Sequence, residues 1–183
     1  IAEWMYMFAG TGMTYYQNIP VDAALMAVND LISHGAMPVL YMDEIASGDS
    51  EWFEDEKRNA DVAKGFYEIC QLVGMALGGG ESPSLRYLIK PEPPVKSAPS
   101  FSGCAIGIVA PASHLVTGEK LRPGDHIIGA TSSGLHANGI SLVIKYALTL
   151  PEKFLTKLPD GKTFGEHALI PTRSYVALVQ ALF

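Results

Sequence analysis

One helix-to-strand passage constrains this chain more than any other feature, because it carries two acidic clusters to defined places in a layer. Between Asp22 and Gly48 the chain reads DAALMAVNDLISHGAMPVLYMDEIASG. Leu25, Val28 and Ile32 recur at helical spacing, and Ala23, Ala24 and Ala27 add propensity, so a helix is expected from about Val21 until Gly35 stops it. Pro38 cannot continue that helix, and Val39 to Met42 form the continuous apolar run of a central strand covered on both faces. Asp43 then follows the strand directly, at the end where open α/β sheets place ligands. Asn29 and Asp30 fall inside the helix, and Asp22 near its start suits the helix dipole. Asp22 and Asn29 share nearly one helical face, where a polar amide requires a partner; a satisfied buried amide explains Asn29 as well as a ligand does. Carboxylates gathered at one end of an α/β layer would seat Mg2+ and a phosphorylated ligand.

The remaining pieces are read around that seat. Ile1 to Met13 is expected as a helix, and the acidic stretch Asp49 to Asn59 as a loop leading to a packing helix with Val62, Phe66, Ile69, Cys70 and Val73 on one face, closed by Gly74. After a short apolar piece come Gly78, Gly79, Gly80 and Glu81, which either form a flexible turn or admit close approach of a ligand. Residues 82–100 are a proline-rich loop of the length usual for lids and mobile segments. Ser102 to Ala110 alternates as a strand with Cys104, Ile106 and Ile108 on one face; the small residues Gly103, Ala105 and Gly107 imply a second sheet or subunit packed on the other. A composition shift places a domain boundary near Glu119, dividing 1–118 from 119–183. His126 to Thr131 is expected as a strand, followed by a glycine-rich turn, SSGLHANG at 132–139, and a helix: an arrangement that binds phosphate through backbone N–H groups. A tight turn with a helix cap is the alternative; His136 adds a possible proton donor or phosphate contact. Pro171 is expected as the first residue of the terminal helix, with Arg173 in its first turn facing an acidic or phosphate partner.

Composition sets the function classes aside rather than choosing one. With 183 residues, 48% hydrophobic and 17% charged, the chain can bury a core of one domain or of one domain plus part of a second. A formal charge of -6 offers no attraction to nucleic acid or to an anionic membrane. Cys70 and Cys104 lack metal or redox spacing and are expected as reduced core residues. No apolar run approaches the roughly 20 residues of a membrane helix and no signal peptide is visible, so a cytoplasmic enzyme is expected. The start at Ile1 and the uncapped YVALVQALF helix predict that the chain is part of a longer protein.

Four stretches in this order, DAALMAVNDLISHGAMPVLYMDEIASG, GGGES, SSGLHANGISLVIK and DGKTFGEHALIPTRSYV, resemble the aminoimidazole ribonucleotide synthetase (phosphoribosylformylglycinamidine cyclo-ligase) family. SSGLHANG is shared with the wider ATP-dependent superfamily of selenophosphate synthetases, thiamine phosphate kinases and hydrogenase maturation proteins, whereas PTRSYV is narrower. The chain departs from the family pattern at Ser82, at Glu44, Ile45 and Ser47, in the longer loop after Ser82, and in lacking the glycine-rich segment with its Asp and Thr-Lys pair. The resemblance implies a two-domain α/β (α+β) fold, the N-terminal sheet joining a dimer barrel and the second domain truncated. It implies a homodimer that uses ATP and Mg2+ to phosphorylate the formyl oxygen of formylglycinamidine ribonucleotide before ring closure. It assigns Asn29, Asp30, Asp43, Gly79, Gly80 and Glu81 to the nucleotide, with Asp30, Asp43 and Glu81 on the metal; Ser133, Gly134, His136 and Asn138 to the phosphorylated substrate; and Asp30 and His136 to catalysis. Another kinase or synthetase of the superfamily, or a non-catalytic binding subunit, are the competing implications.

Overall fold

Helix α2 (Asn18–Ser33) and strand β1 (Met37–Ala46) form the axis of the structure, a computed structural model that describes residues 1–183. Strand β1 is the centre of a three-stranded sheet, parallel to β2 (Ala76–Glu81) and antiparallel to β3 (Ser100–Ile108). The crossover from β1 to β2 is α3 (Glu56–Val73), as a parallel pair requires. Asp55 caps α3 by accepting the Arg58 N–H at 2.9 Å, and Gly74 ends it in the left-handed conformation, φ 72°.

Helices α2 and α3 cover one face of the sheet, and the core lies there. Leu25 and Val28 of α2, Tyr41 of β1, Trp52 from a short 3-10 turn, and Phe66, Ile69, Cys70 and Val73 of α3 belong to one buried cluster. The apolar periodicity of α3 is therefore its packing face. Helix α1 (Ala2–Phe8) joins this core through Met5 and through buried Glu3, whose carboxylate accepts from Arg58 and Tyr16. Downstream lie α4 (Ile140–Ala147), α5 (Phe164–Ala168) and α6 (Val176–Leu182); Thr163 and Glu166 form a capping box on α5.

Several sequence expectations are corrected. Helix α1 stops at Phe8 rather than reaching Met13. Strand β1 continues through Asp43 to Ala46, so Asp43 stands inside the strand, and only one face of β1 is covered: Val39, Met42 and Glu44 are exposed while Tyr41 and Ile45 are buried. Gly78 to Glu81 are not a turn but most of strand β2, drawn into the sheet by pairing with β1. The small face of β3 is covered within the chain by α2 rather than by a second sheet. Gly107 admits Leu31 of α2, and Gly103 admits the Tyr41 side chain; a Cβ at either place would overlap them. The large face is the uncovered one, which leaves Cys104, Ile106 and Ile108 exposed, so Cys104 is not a core residue. His126 to Thr131 form no strand, because no other strand lies beside them to pair, and Ile127 and Ile128 are almost fully exposed. The terminal helix begins at Val176, leaving Pro171 and Arg173 in an extended lead-in.

Candidate functional site

The outer face of α2 carries Asn18, Asp22 and Asn29, and all three side chains hold one extended segment, 169–175. Asn18 donates to the Leu169 carbonyl at 2.8 Å. Asp22 Oδ1 accepts from Thr172 twice, from N–H at 2.7 Å and from the hydroxyl at 2.6 Å. Asn29 donates to the Arg173 carbonyl at 3.0 Å and accepts the Tyr175 N–H at 3.2 Å. The partner that the helical face demanded of Asn29 is thus backbone, and the amide keeps one N–H and one lone pair for anything else. Burial pushes the Asp22 carboxyl above its ordinary range; the Thr172 bonds and nearby His136 partly oppose the shift.

The segment in turn holds the glycine-rich turn. Ser133 Oγ donates to the Pro171 carbonyl at 2.8 Å, and the Tyr175 hydroxyl donates to the Thr131 carbonyl at 3.3 Å. Arg173 meets that same carbonyl at 3.4 Å, with no acidic partner. His136 adopts a left-handed backbone, φ 56°, uncommon for a residue with a side chain. Its Nε2 accepts the Ser133 N–H at 3.2 Å, which leaves the proton of the neutral ring on Nδ1.

Two adjoining cavities meet at His136. Asn29, Asp30, His136, Asn138, Thr172 and Tyr175 border one of about 360 Å³, and Asp30 is exposed there with no hydrogen bond to its carboxylate. The second, about 480 Å³ and mainly apolar, is bordered by Asp22, Met26, Phe101, His136 and Leu169. Of the residues singled out in the sequence, Asn29, Asp30, His136 and Asn138 therefore come together; Ser133 and Gly134 support the turn from behind, Gly134 against Ile170.

The other acids lie elsewhere. Helix α2 and β1 run in opposite directions: Leu31 meets Gly107 beside Pro38, whereas Ile19 and Ala23 border the cavity near Phe101, level with Ile45. Asp30 is thus near the start of β1 and Asp43 near its end. Asp43 lies on the inner face against Gly80, where a Cβ would stand 2.7 Å from the carboxyl carbon; that close fit is one reason the triple glycine is needed. Burial pushes the Asp43 carboxyl up, and the neighbouring Tyr41 hydroxyl, buried without a hydrogen-bond partner, is pushed up to about 12. Glu81, one residue beyond Gly80, faces the opposite side of the sheet next to Glu44, which accepts from Ser102 at 2.8 Å. Gly79 and Gly80 stay at the exposed edge.

No group of three His, Cys, Asp or Glu side chains in the chain is arranged to hold a metal ion. Asp30, Asp43 and Glu81 therefore do not fit one shared Mg2+ seat. The Asp30 carboxylate alone would suit a cation that also takes phosphate oxygens, because Mg2+ is usually held by one or two carboxylates plus phosphates and water. Sequence reasoning missed Asp22, Thr172 and Tyr175; the shared face of Asp22 and Asn29, together with the PTRSYV stretch, was the available signal.

Comparison with known proteins finds relatives along most of the chain. The profile described as AIR synthase related protein, N-terminal domain, matches residues 6–109. Phosphoribosylformylglycinamidine cyclo-ligase of Clostridium acetobutylicum is 36% identical over 161 residues, 88% of this chain and 44% of that protein. Its counterpart in Thermococcus gammatolerans is 37% identical over 167 residues, covering 91% and 46%, and that of Bacillus subtilis 38% over 171 residues, covering 92% and 46%. The chain spans about half the length of the curated relatives it matches.

Proposed function

The chain belongs to the AIR synthase related protein family, and on that premise we propose that it serves an ATP-dependent cyclo-ligase converting formylglycinamidine ribonucleotide to aminoimidazole ribonucleotide, ADP and phosphate. The observation that carries this reading is the meeting of Asp30, His136 and Asn138 around one polar cavity, in a chain whose relatives bear that name along most of its length. In the reaction the formyl oxygen takes the γ-phosphoryl group of ATP, the amidine nitrogen then attacks the activated carbon, and phosphate leaves. Mg2+, when bound, neutralises the charge of the transferring phosphoryl group.

Asp30 has the free carboxylate for a phosphate-bridged cation, with Asn29 beside it offering its remaining N–H and lone pair. His136 and Asn138 offer side-chain donors to the substrate phosphate, where the glycine-rich turn borders the cavity. Asp43, Gly79, Gly80 and Glu81 lie at the other end of the sheet and serve the nucleotide separately from Asp30. The uncovered sheet face with Met42, Cys104, Ile106 and Ile108 supports a homodimer, and the irregular stretch around Glu119 supports a boundary between residues 1–118 and 119–183. No helix is long and apolar enough to cross a membrane, and a reaction that consumes ATP fits the cytoplasm.

The test is ADP release from the full-length protein across candidate acceptors. Turnover with formylglycinamidine ribonucleotide is expected; turnover only with a thiamine phosphate or selenide acceptor would overturn the reading in favour of another superfamily member.

A further inference from the structure

We infer that Asp22 is a positioning residue for the acceptor site: by holding Thr172 it fixes the extended segment 169–175, and through that segment the turn that carries His136. The inference rests on the reading of the His136 cavity as the substrate site.

The support of the turn is the starting point. No backbone–backbone hydrogen bond anchors residues 131–138. Apart from the internal Ser133 to His136 bond, the hydrogen bonds that hold them come from the extended segment: Ser133 Oγ to the Pro171 carbonyl, and Tyr175 and Arg173 to the Thr131 carbonyl. That segment belongs to no sheet; its first residues are tied back to α5 by the Leu169 and Ile170 N–H groups, and the hydrogen-bonded anchoring of the rest is the α2 stripe of Asn18, Asp22 and Asn29. Asp22 is the central member and the only charged one. Its two bonds converge on Thr172, which is buried, so that both the N–H and the hydroxyl of one residue are held by a single acceptor atom. Position and the burial of its partner make it the main clamp. The helix thereby sets the place of His136 through Asp22.

A positioning role separates geometry from charge. Both Thr172 bonds end on Oδ1, an acceptor that asparagine also has, so Asp22→Asn keeps the clamp and Asp22→Ala removes it. In the full-length protein, amide hydrogen exchange and steady-state kinetics are compared for wild type, D22A and D22N. D22A is expected to speed exchange in 131–138 and 169–175 by about tenfold, leaving 62–73 of α3 unchanged, the loss of the two hydrogen bonds to Thr172 being worth roughly that factor. It should also raise KM for the ribonucleotide acceptor by about tenfold with KM for ATP and kcat within about threefold, and D22N should restore both readouts. Unchanged exchange in 131–138 of D22A overturns the inference, as does D22N behaving like D22A, because charge rather than geometry would then matter. Faster exchange with an unchanged acceptor KM overturns it too, reducing Asp22 to a stability role. A wild type that turns over no acceptor sinks the functional reading instead, and the exchange comparison with D22N still decides whether the clamp exists.

Discussion

Replacing Arg58 by Met should be among the most damaging single changes in the molecule, although it borders neither cavity at His136. Arg58 donates to the Glu3 carboxylate through Nη2 at 2.5 Å and Nε at 3.2 Å, and its guanidinium lies 5.2 Å from the Tyr6 ring centre and 5.8 Å from that of Trp52. The Glu3 side chain is only 5% exposed and keeps one other partner, the Tyr16 hydroxyl at 2.9 Å. Removing one member of a buried pair leaves an uncompensated charge, at a cost of about 3–5 kcal/mol. The Tyr16 bond and the 17% exposure of Arg58 place this case near the lower end, at about 3 kcal/mol. For a chain of this size that corresponds to roughly 6–12 °C in Tm. Combining R58M with Glu3→Gln removes both charges and should bring the protein back to within about 1 kcal/mol of wild type, since a well-packed neutral pair often equals a buried ion pair. The assay is urea unfolding followed by tryptophan fluorescence, with Trp52 packed 5.1 Å from the Tyr16 ring as reporter. An R58M variant within about 1 kcal/mol of wild type, or a double variant no more stable than R58M, would refute the reasoning, because the coupling between contacting residues would then be absent.

Asp30→Asn should abolish ADP release while leaving the unfolding midpoint unchanged, since the exposed carboxylate makes no hydrogen bond in the fold; turnover at the wild-type rate would remove Asp30 from the reaction. Burial holds the folded pKa of Asp43 above its unfolded value, so its contribution to stability is present below the ordinary carboxylate range and is lost as pH rises through the folded pKa. Asp43→Asn should therefore be more stable than wild type at neutral pH, with the advantage shrinking as pH falls through the raised folded pKa and gone below about 4, a trend readable from Tm against pH. Gly80→Ala would place a methyl group 2.7 Å from both the Asp43 carboxyl carbon and its carbonyl oxygen, and should destabilise by about 1–3 kcal/mol in urea unfolding; an unchanged midpoint would show that β1 and β2 can part freely.

Much of the fold was legible because local rules and tertiary packing agree. The helical spacing of Leu25, Val28 and Ile32, and of Val62, Phe66, Ile69 and Val73, marks the faces that become the core, and Gly35 and Gly74 do end their helices. Turn and edge elements were less so. Gly78 to Glu81 carry no strand propensity of their own and become a strand by pairing with β1, while the β-prone Ile127 and Ile128 find no partner and stay irregular. In each case a neighbour distant in sequence outweighs local preference.

The candidate site divides in the same way. Residue identities and order alone determined the chemistry available: the helix acid Asp30, the strand acid Asp43, and a glycine-rich turn bearing His136 and Asn138, in a succession that also marks the family. Only the tertiary structure decided which of them meet. Asp30 joins His136 and Asn138, whereas Asp43 and Glu81 are separated by the antiparallel run of α2 and β1 and by the alternation of faces along a strand. It also decided that Asn29 and Asp22 hold the 169–175 segment, because hydrogen bonds across about 150 residues of sequence depend on packing that no local pattern encodes.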